Sequence, residues 1–447
     1  QYLETFQKQQ GNTPASKLLA QIYLGESNVD RAIEVLESYL RANPADGQAM
    51  TLLGSAFLAK GQNAKATTLM QEALKTKDNP AYRTVLGLSL IRSGQGGSGV
   101  AELEAAYKQD ATQTQAGVTL VGLYLRSGRA TKAVTVAQGL VKQQPNNPNF
   151  FNVLGMAKGQ AGDLPGAKAA FEQAVKLNDA FVAPKINLAR IEIANKAYDA
   201  AAVRLAAILK VNEKNTEAMG EMAVLSERRG QPAEAQRWLE KANDLAGPKE
   251  VQWGLALSDF HLRHDRPAQA LEAIKKVSGK LPNDLGVLMA YAKAQIANRD
   301  MAGGKSTLTS ATRVADYNPI PQVQIALLQL SANNMPGAAY SLEKALSTQP
   351  DFLPAQALMT EVELRQGDAA KAEKRARDIV VKHPKRAIGH SLLGDIAVAR
   401  NQPSAAQESY RRAHQLEPSP ETLLRLFGVL GRQDSGKPAL QLAEGWM

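Results

Sequence analysis

The chain has 447 residues, of which 44% are hydrophobic and 21% charged, so its composition is that of a folded protein. Its 53 basic and 43 acidic residues give a net charge of +10 that is spread along the chain, which does not call for nucleic acid as a partner. The absence of cysteine excludes disulfides, thiol catalysis and thiolate metal sites.

A repeat runs along the chain at intervals of 33 to 35 residues. Small residues mark it at twelve anchor positions: Ala32, Ala66, Gly99, Ala133, Ala167, Ala201, Ala235, Ala270, Gly304, Ala338, Ala372 and Ala406. Twelve residues before each anchor, ten of the twelve residues are Gly, Ala or Ser. A sustained period of this length predicts stacked repeats, none of which buries its apolar face alone.

Each repeat is predicted to contain two helices, here called helix A and helix B. In the second repeat, apolar residues at helical spacing around Leu53 form helix A, and those around Leu69 form helix B. Gly61 between them suits the left-handed position that ends a helix. The small residues Gly54 and Ala66 are predicted to let the two antiparallel backbones approach closely.

These features resemble the tetratricopeptide repeat family. The resemblance rests on Leu-Gly pairs in helix A, a Gly before helix B, the helix-B alanines and a Pro that closes many repeats. The Leu-Gly pairs are Leu53-Gly54, Leu86-Gly87, Leu154-Gly155 and Leu393-Gly394. The resemblance implies an all-α α-solenoid, a right-handed superhelix of antiparallel helix pairs with the A helices on its concave surface. We assign 1–12 to the end of a preceding repeat, 13–420 to twelve tandem repeats and 421–447 to a truncated thirteenth.

Three local motifs suggest chemistry, but their context favours structural roles. The G-x-G-x-x-G at Gly94–Gly99 follows a predicted helix rather than a strand, so we interpret it as a turn between helices. Gly304-Lys305-Ser306 lacks the upstream Gly and strand of a phosphate-binding loop. His261 and His264 lie three residues apart, but no further His or Cys completes a metal site nearby. We therefore predict no catalytic residue, no cofactor and no metal.

Arginine recurs seven residues before the anchor, near the end of helix A. The candidate residues for binding in the concave groove are Arg92, Arg126, Arg228, Arg263 and Arg365. In one interpretation they form a basic series that binds carboxylates or other anions. In the other, each one complements the dipole at the end of its own helix, worth about 0.3–1 kcal/mol. The sequence leaves both open.

The predicted function is a non-catalytic scaffold that binds a protein or an extended peptide along its concave groove. Segments such as Ala161–Asn178 and Arg229–Ala242 resemble PrsT, the family of tetratricopeptide repeat lipoproteins in PEP-CTERM/exosortase systems. That resemblance implies a role in bacterial exopolysaccharide assembly or export and a periplasmic location, with membrane contact only through an anchor outside this chain. The alternatives are a binder of an acidic polysaccharide, a regulatory arm of an enzyme lying outside this chain, and a cytoplasmic location. No nucleic acid partner is expected.

Overall fold

The structure is a computed structural model that describes residues 13–247 and 250–431, and every regular element within them is an α-helix. The predicted all-α class is confirmed. The chain divides into two compact units, Gln1–Arg229 and Gly230–Met447, which are described separately below. The predicted end of a preceding repeat, 1–12, and residues 432–447 of the predicted partial repeat lie outside the described residues.

The first unit contains thirteen helices in its described part. They are α1 (Ala15–Gly25), α2 (Val29–Ala42), α3 (Gly47–Ala59), α4 (Asn63–Thr76), α5 (Pro80–Arg92), α6 (Gly96–Gln109), α7 (Thr114–Arg126), α8 (Ala130–Gln143), α9 (Pro148–Gln160), α10 (Leu164–Leu177), α11 (Val182–Ala194), α12 (Tyr198–Val211) and α13 (Thr216–Arg228).

The second unit contains twelve helices among its described residues. They are α14 (Pro232–Leu245), α15 (Gln252–Arg263), α16 (Pro267–Lys280), α17 (Leu285–Ala297), α18 (Met301–Val314), α19 (Pro319–Ser331), α20 (Met335–Thr348), α21 (Leu353–Arg365), α22 (Ala369–Lys382), α23 (Ile388–Ala399), α24 (Pro403–Leu416) and α25 (Pro420–Leu430). Throughout the described chain, odd-numbered helices are A helices and even-numbered helices are B helices.

Each of the first twelve A helices, α1 to α23, is followed by a residue with left-handed backbone geometry. The twelve residues are Ser27, Gly61, Gly94, Gly128, Gly162, Lys196, Gly230, Asp265, Arg299, Asn333, Gly367 and Asn401, with φ between 51° and 87°. After Gly61, the Gln62 N–H donates to the Phe57 carbonyl at 2.8 Å, which satisfies an end carbonyl and reverses the chain. The predicted role of Gly61 is confirmed, and the turns repeat with the spacing of the anchors.

The anchor residues are removed from solvent, as expected of packing positions. All twelve are buried. The backbones approach closely in the repeat of α5 and α6, where both small positions are glycine. A Cβ added to Gly99 would lie 2.7 Å from the Gly87 carbonyl oxygen, and one added to Gly87 would lie 2.9 Å from the Gly99 carbonyl oxygen.

The A helices form the inner layer of each unit. Most successive A helices contact one another directly in the described residues, for example α1 with α3 and α15 with α17, whereas such contacts are sparse between successive B helices. Side chains on the exposed face of helix A therefore line the inner surface of a unit. No helix in the described residues has both the length and the apolar character needed to cross a membrane.

Among the described residues, three repeats place a partly buried polar pair between helix A and helix B, always twelve residues apart. Arg204 Nε donates to Glu192 Oε2 at 3.0 Å. Arg375 makes a two-point contact with Glu363, with Nη2 to Oε1 at 2.7 Å and Nε to Oε2 at 3.0 Å. In a third repeat, Thr307 Oγ1 donates to Gln295 Oε1 at 2.7 Å. In each of these repeats, a polar group of helix A that is largely removed from water is satisfied by helix B of the same repeat.

Candidate functional site

The inner layer of the second unit contains a groove of about 640 Å³ between α19, α21, α23 and α25. Its lining includes eight apolar residues: Val323, Leu327, Pro354, Ala357, Leu358, Leu364, Ile388 and Leu392. Leu327 is 52% exposed, which is high for a leucine in a helix that packs on both neighbours. Apolar side chains left open to solvent in a concave surface are typical of sites that bind another molecule.

Paired charges border this groove. Arg365 forms an ion pair with Glu361, one helical turn earlier in α21. On the other side, Asp395 accepts hydrogen bonds from Arg425 and, at 2.7 Å, from the Tyr410 hydroxyl. Burial, followed by the hydrogen bond to Asp395, raises the pKa of Tyr410, so its hydroxyl stays protonated and donates. The border is polar but locally neutralised, and the lining is apolar.

The inner layer of the first unit has a smaller pocket of about 450 Å³ between α11 and α13. Arg190 connects these helices, with Nε to Glu221 Oε1 at 2.7 Å and Nη2 to Glu217 Oε1 at 3.1 Å. Lys196 and Arg228 also line the pocket, are exposed, and make no ion pair within the described residues. This pocket therefore carries positive charge that its own acids do not neutralise.

Two of the five predicted arginines are bound by acids on the inner layer of the second unit. Arg263 Nε lies 3.1 Å from Asp259 Oδ2, and the same carboxylate accepts from Lys293 Nζ at 3.2 Å. Arg365 pairs with Glu361. In both cases the acid lies four residues earlier on the same helix, a spacing that brings side chains together.

A third arginine, Arg92, supports the neighbouring helix A. Its Nη1 donates to the carbonyl oxygen of Leu58 at 2.6 Å, in the last turn of α3. Gln160 occupies the same repeat position in α9, and its Nε2 donates to the Leu125 carbonyl oxygen at 2.7 Å. A helix leaves its last carbonyls without partners, so a side chain from the next repeat satisfies one of them here. The side chain at this repeat position thus stabilises the end of the preceding helix A rather than the end of its own helix.

The other two arginines, Arg126 and Arg228, end α7 and α13 and are exposed. Neither makes a hydrogen bond or ion pair within the described residues. The five arginines are therefore not equivalent: the structure gives partners to three and leaves two with uncompensated charge, both in the first unit. Their role in binding stays a prediction.

Sequence reasoning missed the apolar lining and the acidic partners. The acidic partners and one lining residue, Leu327, occupy the position four residues before the arginine position, which holds Asp259, Lys293, Leu327, Glu361 and Asp395 in the second unit. Comparing that position across repeats would have predicted the pairs of Arg263 and Arg365 from their spacing of four. The same comparison would have shown that Leu327 is apolar at a position where the other four repeats of the second unit have a charged residue.

The glycine-rich motif and the two neighbouring histidines of the sequence analysis lie within the helical repeats. Gly94 has the left-handed geometry of the turn, but Gly96–Gly99 belong to the first turn of α6 rather than to the loop. His261 is buried, and the His264 ring makes a tilted contact with Phe260 at 4.4 Å between centroids. No group of three His, Cys, Asp or Glu side chains in the described ranges is placed to hold a metal ion.

Three segments of the chain match a known protein family. The family model described as "Tetratricopeptide repeat" matches residues 17–82, 152–211 and 361–420. These three segments are tetratricopeptide repeats. Each matched segment lies within a single unit, and the helix pairs between the matches have the same anchors and left-handed turns. The assignment to PrsT stays a prediction.

Two curated proteins are similar to most or part of this chain. "Cellulose synthase operon protein C" of Pseudomonas fluorescens (strain SBW25) is 23% identical over 459 residues, covering 97% of this chain and 34% of that protein. "DnaJ homolog subfamily C member 7 homolog" of Schizosaccharomyces pombe (strain 972 / ATCC 24843) is 43% identical over 58 residues, which is 13% of this chain and 12% of that protein. The chain thus spans about a third, or less, of these relatives.

Two solved structures are similar over most of the chain. Yeast Tom70 has a TM-score of 0.46 and 14% identity, covering 95% of this chain and 94% of that chain. A chain of the APC/C hetero-tetramer Cut9-Hcn1 has a TM-score of 0.40 and 11% identity, covering 96% and 92%.

Proposed function

We propose that this chain is a non-catalytic scaffold that binds a protein partner, and that the groove of the second unit receives an apolar segment of that partner. The observation that carries the proposal is the apolar lining around Leu327 in an inner surface whose border is made of paired charges. The apolar centre of such a surface excludes water when a partner binds, and the charged residues at its edge orient that partner. Protein interfaces are organised in this way. A short amphipathic segment has the chemistry that complements it.

We further propose that the scaffold works in exopolysaccharide assembly or export, in the periplasm. The support is the similarity to cellulose synthase operon protein C, which extends over 97% of this chain at 23% identity. Because this chain spans 34% of that protein, the proposal concerns the repeat region alone.

Replacing Leu327 by glutamate should abolish partner binding at the groove, because a charge would be buried when the apolar segment docks. Short peptides selected from a random display library against the wild-type chain provide the probe. Their affinity, followed by fluorescence anisotropy, should fall at least about tenfold in Leu327→Glu, equivalent to ~1.4 kcal/mol. Selected peptides should carry apolar side chains at helical spacing.

Val381→Glu is the matched control, because Val381 is 77% exposed on helix B of the same unit and lies away from the groove. It should leave peptide affinity unchanged. In the producing cell, deletion of the gene should lower secreted polysaccharide, and Val381→Glu but not Leu327→Glu should restore it. Equal affinities of both variants would reject the groove, and unchanged secretion after deletion would reject the proposed cellular role.

The uncompensated arginines of the first unit support a second candidate, the binding of an acidic polysaccharide. Lys196 and Arg228 present two positive charges in one pocket, and Arg126 presents another on the same inner layer. Carboxylates of a uronic acid polymer are suitable ligands for a guanidinium. Attraction of this kind weakens as salt screens the charges.

Reversing charge in Arg126→Glu/Arg228→Glu should weaken binding of a polyuronate such as alginate by about tenfold at low salt, and the difference should shrink at high salt. The matched control is Lys176→Glu/Lys210→Glu, which changes charge equally at helix ends of the same unit, but on B helices. If binding falls equally in both double variants, only net charge matters and the arginines have no special role. If neither variant changes binding, they act in helix-end electrostatics alone.

A further inference from the structure

One repeat of the second unit lacks the polar pair found between the helices of others. His261 in α15 occupies the position that Glu192 and Glu363 occupy in their repeats. The position twelve residues later holds Ala273, where those repeats have an arginine. His261 is only 4% exposed, and its Nδ1 has no hydrogen-bond partner within the described residues. A buried polar atom without a partner is rare in folded proteins and needs an explanation.

The space that an arginine side chain would fill is a pocket. His261 and Ala273 line a cavity of about 290 Å³ between α14, α15 and α16. One water molecule occupies about 30 Å³ in the liquid, so the cavity is far larger than a bridging water requires. It lies on the B-helix side of the unit, away from the groove that contains Leu327.

The rim of this pocket is acidic. Glu240, Asp244 and Glu272 line it together with one cation, Lys276. None of the three carboxylates forms an ion pair within the described residues; Glu240 Oε1 accepts only from the amide of Gln236 at 2.8 Å. The pocket thus has the His261 side chain in its lining and uncompensated negative charge at its mouth.

We propose that this pocket receives the guanidinium group of an arginine side chain from a partner protein. In the repeats of Glu192 and Glu363, a guanidinium from helix B contacts the same position of helix A. Ala273 removes that internal guanidinium and leaves its place open to solvent. The planar group offers five N–H donors, which suit the carboxylates at the rim. Burial, and then Arg266 nearby, lower the pKa of His261, which keeps the ring neutral near pH 7.

This docking point does not depend on the groove of the proposed function, because it lies on the other face of the repeats and takes a charged rather than an apolar group. A partner that used both would present an apolar segment and an arginine to opposite sides of the second unit. The pocket can be tested without knowledge of that partner.

The probe is acetyl-arginine amide, compared with its neutral isostere acetyl-citrulline amide and with acetyl-lysine amide. Binding is followed by ¹H–¹³C spectra of the chain labelled at histidine, with the His261 signal assigned from its absence in His261→Gln. The arginine compound should shift the His261 signal in a saturable way, and the other two should bind at least about tenfold more weakly. Equal binding of the citrulline or lysine compound would overturn the proposal, as would no shift with the arginine compound.

Two variants test the mechanism. Glu240→Gln/Glu272→Gln should weaken the arginine compound about tenfold, whereas Glu234→Gln, an exposed acid on α14 outside the pocket, should not. Ala273→Arg supplies the internal guanidinium and should abolish binding while its other histidine signals stay unchanged. If Ala273→Arg does not fold, the affinity of the double glutamine variant and the comparison of the arginine and citrulline compounds still test the proposal. Unchanged affinity in the double glutamine variant would reject the pocket.

Discussion

Arg375→Met should lower the free energy of unfolding by about 3 kcal/mol, because it leaves the Glu363 carboxylate buried without its partner. Glu363 is 8% exposed, and Arg375 contacts it at two points while its third nitrogen, Nη1, donates to Gln356 Oε1 at 2.6 Å. Methionine retains most of the apolar stem, so the loss reports the charge rather than the packing. Urea unfolding measures it.

Two further variants separate the buried pair from an ordinary surface pair. Glu363→Gln/Arg375→Met removes both charges and should recover most of the lost stability, since no carboxylate is then stranded. Arg365→Met breaks the exposed pair with Glu361 in the same repeat and should cost no more than about 0.5 kcal/mol. A loss in Arg375→Met no larger than in Arg365→Met would show that the Glu363 site is solvated.

Gly99→Ala should destabilise the first unit by about 1–3 kcal/mol, although alanine is the better helix former. The added methyl group would lie 2.7 Å from the Gly87 carbonyl oxygen and 2.6 Å from Ile91 Cγ1. The backbone oxygen cannot turn aside as a flexible side chain would, so α5 and α6 must separate. Thermal unfolding followed by circular dichroism detects the change.

Gly97→Ala, two residues earlier in α6, is the matched control. No atom lies within 4 Å of the Cβ that it would add. This variant gains helix propensity without a clash and should raise stability by up to about 1 kcal/mol. Opposite signs at the two positions are expected. A stabilising Gly99→Ala would mean that the helices of this repeat have room to move apart at little cost.

The repeat register could be read from the sequence because it depends on local requirements repeated at fixed spacing. Small anchors such as Ala167 are needed wherever two helices cross closely, and glycine as at Gly61 is favoured where φ is positive. Six of the twelve left-handed turns hold other residues, for example Lys196 and Arg299, and the sequence did not reveal those turns by residue type. At those six turns, only the repeat length indicated where helix A ends.

Only the tertiary structure decided what each charged residue does. Arg92, Arg126 and Arg263 occupy the same repeat position, yet one donates to a carbonyl of the preceding repeat, one has no partner within the described residues, and one pairs with an acid on its own helix. The outcome depends on side chains that neighbouring helices bring within about 3 Å, the range of a hydrogen bond. Those neighbours lie up to 34 residues away in the chain. Comparing one repeat position across the repeats therefore does not identify them. The sequence by itself therefore determined the all-α repeat and its packing positions, whereas the groove at Leu327 and the open pocket at His261 arise from contacts between helices.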